Sequence, residues 1–304
     1  MMGKIGYWTS DVDRLEYEKA YAEALLTMPI AKSVLIETSF GTIQTYCWQN
    51  KNIEFKKPIL LLPGKSSGAP MWSTNIHDLV KERTVYALDG LGDAGLSIQK
   101  KEIKNSLDQS LWINETVEKL GLSKIHIVGH SFGGWLASNY ATQYPEKVFT
   151  LSLLEPVFTF RYIKLKLILK SIPYNLKFLP KKWRQGLLKE IGGINSIDQF
   201  DPVAKMIEAG TNYFISKLPV PKIIKKHERE QWNFPVFVAL GGKSPVHNSE
   251  KCLEVALKEI KNINAKIWKD ATHSLPMEYV EELNKELILF ISENERQIII
   301  EKHR

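Results

Sequence analysis

The sequence predicts an α/β fold, a mainly parallel sheet covered by helices on both faces and interrupted once by a helical insertion. Three observations carry this. Short β-type apolar runs alternate with amphipathic helical stretches along the 304 residues. Some of those runs, such as 58–62 and 235–240, are apolar throughout, as strands buried on both faces must be. The alternation breaks at 157–232, which has helical periodicity, several prolines and no good strand, and then resumes.

Taken in order, residues 13–27 form an amphipathic helix, with Leu15, Ala20, Ala22, Leu25 and Leu26 among charged positions. Strands at 33–38 and 42–48 follow, joined as a hairpin around Phe40-Gly41. The strand 58–62 ends in Pro63-Gly64, and a loop and helix at about 69–81 lead to the strand 84–88, closed by Asp89-Gly90-Leu91-Gly92. A helix over 104–120 precedes the strand 125–128. Another helix follows, then the strand 148–154, which ends at Glu155-Pro156. Beyond the insertion come the strand 235–240, a helix over 249–261, the strand 265–268 and a last helix from about 276. The division expected is a core of 1–156 and 233–304 with a helical cap, 157–232, inserted in it.

Hydrophobic residues make up 44% and charged residues 25%, which is globular rather than disordered. The first residues show no apolar secretory region, and no stretch reaches the ~18 apolar residues of a membrane span. Cys47 and Cys252 lie far apart in surroundings that suggest neither a metal site nor a redox pair, so a cytoplasmic protein with reduced thiols is expected. The net charge of +7 is local. Residues 161–190 carry nine basic side chains and one acid, Glu190, while the rest of the chain is close to neutral with 32 basic and 33 acidic residues. The bland reading is a cap whose apolar faces roof a site and whose lysines are solvated. The sharper one is a surface that meets anionic lipid or guides acidic substrates. Nucleic acid is not expected, because no reading motif is present.

The chemistry centres on Gly129-His130-Ser131-Phe132-Gly133, a G-x-S-x-G sequence with a strand before it and a helix after it. Such a turn holds a serine hydroxyl exposed above the sheet, and the following helix offers unpaired N–H groups where negative charge is stabilised. A serine is a poor nucleophile without a base in hydrogen-bond reach. His273 fits, because it follows the last predicted strand, on the edge where the serine turn opens. His130 reads as structural, and His77, His126, His227, His247 and His303 have no comparable setting.

Four segments in order resemble the α/β-hydrolase superfamily: LLLPGKSSGAPMW (60–72), ALDGLGDAGLS (87–97), GHSFGG (129–134) and ATHSLPMEYVEELNK (271–285). The N-terminal helix and the LG-D turn are similar to bacterial carboxylesterase-like members. The resemblance implies an α/β-hydrolase fold with a sheet of eight strands, and a serine hydrolase of carboxylic ester-type bonds that needs no cofactor and no metal. It implies Ser131 as nucleophile, His273 as base, and the backbone N–H groups of Lys65 and Phe132 as an oxyanion hole. A proline, Pro63, stands where the family usually has a histidine. A serine at the turn argues against the carboxylate-nucleophile chemistries of the superfamily. Thioesterase, perhydrolase, acyltransferase and carbon–carbon hydrolase activities use much the same residues.

The chain departs from the pattern at the third catalytic residue. Members usually place an aspartate after the strand that follows the cap. Here that stretch is Gly241-Gly242-Lys243-Ser244-Pro245, with Ser244 at the acid's position. Many haloalkane dehalogenases keep their acid after the preceding strand instead, which corresponds to Glu155. In the usual strand order Glu155 ends the strand beside the nucleophile strand, within reach of His273. Asp270, three residues before His273, is a rival. A third alternative is no working acid, in which case the chain is a catalytically weak, ligand-binding member of the fold.

Overall fold

The computed structural model describes residues 5–49, 56–164 and 201–302. The sheet contains β2 (Lys32–Thr38), β3 (Gly41–Trp48), β4 (Ile59–Leu62), β5 (Val85–Leu88), β6 (Ile98–Gln99), β7 (Ile125–His130), β8 (Val148–Leu154), β10 (Val236–Gly241) and β11 (Ile263–Trp268). Their order is β11-β10-β8-β7-β4-β5-β3-β2, with β6 added beside β3. Among the described residues the sheet has nine strands rather than eight, because the two-residue β6 pairs with Gly41 and Thr42. A strand that short has no periodicity to read. From β5 through β4, β7, β8 and β10 to β11 every pair is parallel; β3 pairs antiparallel with β5, β2 and β6.

The apolar runs become the interior strands for the expected reason. β4, β7, β8 and β10 are buried at every position, since helices cover both faces. β2 lies at the sheet's edge, and most of its positions are exposed or half-buried. One face is covered by α3 (Ser106–Lys119), α4 (Phe132–Gln143) and α7 (Ser249–Glu259), which bury Trp112, Leu136, Tyr140 and Ala256. The other is covered by α2 (Ser73–Glu82) and α9 (Val280–Lys302), with Ile76, Leu79, Leu283 and Leu287 in its core. Asn105 and Asn248 cap α3 and α7 by accepting backbone N–H groups of the first turn.

Part of the block 157–232 is tied to the N-terminal segment. α1 (Asp11–Leu25) packs against α5 (Pro202–Tyr213), and β1 (Tyr7–Trp8) pairs antiparallel with β9 (Phe214–Ile215). Trp8 sits between Tyr17 at 4.7 Å and Phe214 at 4.9 Å. The block thus contains a strand that was not expected, again only two residues long. Farther on, the buried Arg229 of α6 (Lys226–Arg229) pairs with Glu259 and donates to the carbonyls of Thr159 and Ile224. This anchors the returning chain to the core. The basic run and its proposed lipid contact fall mostly within 165–200, outside the described residues.

Cys47 and Cys252 are free and buried. Among the described residues no helix is long and apolar enough to cross a membrane.

Candidate active site

β7 and α4 meet at Ser131, whose backbone (φ 54, ψ −116) lies in a sparsely populated region costing on the order of 1–3 kcal/mol. The surroundings fix this turn. Ser131 N–H donates to the Leu154 carbonyl at 3.0 Å, joining the turn to the end of β8. A Cβ at Gly129 would collide with the Gly133 carbonyl, and one at Gly133 with the carbonyls of Leu62 and Pro63. Both glycines are therefore required by close backbone approach. The helix behind Ser131 begins at Phe132, so the Phe132 N–H has no partner within the helix.

His273 lies in the loop between β11 and the short helix α8 (Leu275–Glu278). Its Nε2 is 2.8 Å from Ser131 Oγ, and its Nδ1 is 2.9 Å from Glu155 Oε2. A carboxylate only accepts, so Nδ1 carries the proton and Nε2 is left to accept from the serine hydroxyl. Burial pushes His273 down to about 4, so its neutral form is the resting one at neutral pH. Thr272 donates from its N–H and Oγ1 to Glu278, at 2.7 and 2.6 Å, which holds the loop from below.

His130 holds the same loop from the side. Its Nε2–H donates to the His273 carbonyl at 2.8 Å, and burial, then the neighbouring His273, push His130 down to about 3. The sequence reading of His130 as structural thus acquires a defined partner.

Glu155 follows β8 with a left-handed backbone, φ 50, and is wholly buried. Strand order explains its reach: β8 lies directly between β7 and β10. Asp270 is placed differently from its suggested role. Its side chain is 62% exposed and pairs with Lys243 at 2.8 Å, pointing to solvent. A residue at the end of β11 is turned outward by the tight turn that starts the His273 loop.

Lys65 begins the loop after β4, with its side chain exposed. The loop is gripped by two buried carboxylates that sequence reasoning did not single out. Asp93 Oδ2 accepts Ser66 N–H at 2.7 Å, where Ser66 has φ 61. Asp89 Oδ1 accepts Ala69 N–H at 2.7 Å and the Tyr21 hydroxyl at 2.9 Å, and its Oδ2 takes Leu96 N–H at 2.6 Å. Burial pushes Asp89 up to about 6. The DGLGD turn was visible in the sequence, but its partners are main-chain groups with no sequence signature. Among the described residues neither the Lys65 nor the Phe132 amide donates to another group. Nor does any cluster of three or more His, Cys, Asp or Glu there form a metal site.

A strained serine turn, a histidine and a buried acid at the carboxyl ends of strands of one parallel sheet define a class of protein. The family model described as the alpha/beta hydrolase fold matches residues 57–255, and the chain belongs to that family. Within it, the chain is similar to two Bacillus subtilis (strain 168) proteins. It is 26% identical to the uncharacterized carboxylesterase nap, over 91% of this chain and 93% of that one. It is 24% identical to carboxylesterase YbfK, over 91% and 94%. The crystal structure of the Bacillus subtilis carboxylesterase CesB (YbfK) superposes with a TM-score of 0.84, over 92% of this chain and 98% of that one, at 23% identity.

Proposed function

We propose that this chain is a serine carboxylesterase that cleaves a small, largely apolar carboxylic ester through an acyl-enzyme intermediate. Hydrolysis of esters is the coarser part of this reading, and carboxylesterase relatives aligned over nine-tenths of both chains support it. The finer part rests on one observation, the unbroken hydrogen-bond chain from Ser131 through His273 to Glu155.

In that reading Ser131 Oγ attacks the ester carbonyl while His273 Nε2 takes its proton. Glu155 holds the Nδ1–H tautomer and stabilises the imidazolium that forms. The Lys65 and Phe132 amides receive the oxyanion, and each such donor contributes ~3 kcal/mol in related chemistry. His273 then protonates the departing alcohol and activates water for deacylation. Residues 157–232 act as the cap over this site. A carboxylic ester and one water molecule supply every atom these steps need.

The reading as a weak ligand binder was motivated by Ser244 at the acid's usual position. Ser244 has another role in the structure: its hydroxyl donates to Glu155 at 2.5 Å. The test of the esterase reading is reaction with a fluorophosphonate probe, followed by turnover of p-nitrophenyl esters of increasing chain length. Stoichiometric labelling at Ser131 with ester turnover is expected. A folded protein that neither labels nor turns over any ester would refute it.

A further inference from the structure

The carboxylate of Glu155 is 0% exposed and sits on a left-handed backbone position. A glutamate has one more rotatable bond than the aspartate usual in such sites, so its terminal group needs more than one point of attachment to hold a direction. The structure provides two besides His273. Gly241 N–H donates to Oε1 at 2.5 Å, and the Ser244 hydroxyl donates to Oε2 at 2.5 Å. With the amide alone, the carboxylate could pivot about Oε1. The hydroxyl holds the second oxygen, the same one that accepts His273 Nδ1 at 2.9 Å.

The direction of the serine bond is not ambiguous. A carboxylate oxygen can only accept, and the Val246 N–H approaches Ser244 Oγ at 3.4 Å from the other side. The 244–246 loop is itself fixed: Lys164 Nζ donates to the Ser244 carbonyl, and Lys164 N–H to the Val246 carbonyl, at 2.9 and 2.8 Å. His247, 2% exposed, brings its Nε2 to 3.4 Å from Oε2 without a hydrogen bond.

We propose that Ser244 is a positioning residue of the reaction: its hydroxyl fixes Glu155 Oε2 in the direction of His273 Nδ1, from the loop position where the fold usually carries the acid itself. This rests on the assignment of Glu155 as the acid of the triad. Hydrogen bonds to a charged group contribute enough that losing this one should lower kcat by about ten- to a hundredfold.

The test compares Ser244→Ala, Ser244→Thr and Glu155→Gln in the full chain, with a p-nitrophenyl ester as substrate. Four quantities are read: kcat, KM, the downfield proton NMR resonance of His273 Nδ1–H, and thermal unfolding. Ser244→Ala should lose kcat by that factor with KM within about twofold. Its Nδ1–H resonance should shift upfield or broaden away while the protein still melts cooperatively. Ser244→Thr, which keeps the hydroxyl, should recover most of both. If the threonine methyl prevents folding, the resonance of Ser244→Ala decides alone. Wild-type kcat with an unmoved resonance in Ser244→Ala would overturn the proposal. If Glu155→Gln is inactive in that case, only the role of Ser244 is lost; if it is fully active, the assignment of Glu155 falls as well.

Discussion

Two glutamates in this molecule, Glu155 buried and Glu295 half-buried, each contact a histidine, and they lie at opposite ends of the same parallel strands. Glu155 stands at the carboxyl end of β8 with His273 and Ser131. Glu295, on α9, meets His126 at the amino end of β7 at 3.4 Å. The pairs share residue types but differ in what completes them. Glu295 is neutralised by Arg83 at 2.8 Å and accepts Lys57 N–H at 3.1 Å. Burial opposes its charge, but its bonds to His126 and Arg83 hold it down at about 2. The far nitrogen of His126 is taken by Thr150 Oγ1 at 2.8 Å. Among the described residues no Arg or Lys pairs with Glu155, and the far nitrogen of His273 meets a hydroxyl on a strained turn. A carboxylate–histidine pair is therefore not yet a catalytic device. The pair proposed to be catalytic differs in that its carboxylate is held by neutral donors and its other ring nitrogen faces the Ser131 hydroxyl. Ligand sites of open α/β sheets also lie at the carboxyl ends of the strands, which favours the Glu155 end on topology alone.

The largest effect expected is that of Ser131→Ala. Removing the nucleophile of a comparable triad costs ~10⁶-fold in kcat, and the loss should come without unfolding, as circular dichroism would verify. Near-wild-type turnover would end the esterase account. Next come the two glutamates. Glu155→Gln should lower kcat ~10⁴-fold with little change in melting. At the other pair the currency is stability. Arg83→Met takes the cation from the half-buried Glu295 and leaves it only Lys57 N–H and His126, so urea denaturation should show a loss of ~1–3 kcal/mol while kcat stays within about twofold. A kcat loss there comparable to that of Glu155→Gln would erase the distinction between the two ends.

The pH dependence of stability tests the buried histidines together. Burial pushes His126 and His273 down to about 4, and burial followed by His273 pushes His130 down to about 3. The unfolded chain binds these protons near pH ~6.5. The three therefore stabilise the fold above that pH, and the contribution is lost as pH falls through their folded values. Asp89, pushed up to about 6 by burial, has the opposite sign: its contribution is present at pH below ~4 and lost as pH rises through 6. Burial also pushes His247 down and Asp93 up, so with four histidines against two aspartates the melting temperature should fall as pH is lowered from about 6.5 to 4. A flat or rising profile would contradict these placements. The smallest effect belongs to Asp270→Asn, which removes an exposed pair with Lys243 and should leave kcat within about twofold.

The legibility of this chain followed the type of signal each feature needs. The interior strands were readable because burial on both faces forces apolar runs such as Ile59–Leu62. Ser131, His273 and Glu155 were readable because each follows a strand whose end the sequence marks, and the structure brings them together. The pairing of Tyr7–Trp8 with Phe214–Ile215 was not, since two residues carry no periodicity and the partners are about two hundred positions apart. Ser244 reads in the sequence as a missing acid, whereas in the structure its hydroxyl is a donor to Glu155. His126 and His247 were set aside for lack of a local motif, and their contacts with Glu295 and Glu155 come from distant parts of the chain. Asp89 and Asp93 grip main-chain amides, which no side-chain pattern announces.

The most direct test of the central claim, that Glu155 and not Glu295 drives Ser131 through its histidine, is the second-order rate constant for fluorophosphonate labelling. It should be measured for the wild type, Glu155→Gln and Glu295→Gln under identical conditions, with the labelled peptide identified by mass spectrometry. The account predicts labelling at Ser131 in all three, at a rate that falls by several orders of magnitude in Glu155→Gln and by no more than about twofold in Glu295→Gln. Equal rates for the two variants, or a label on any residue other than Ser131, would contradict it.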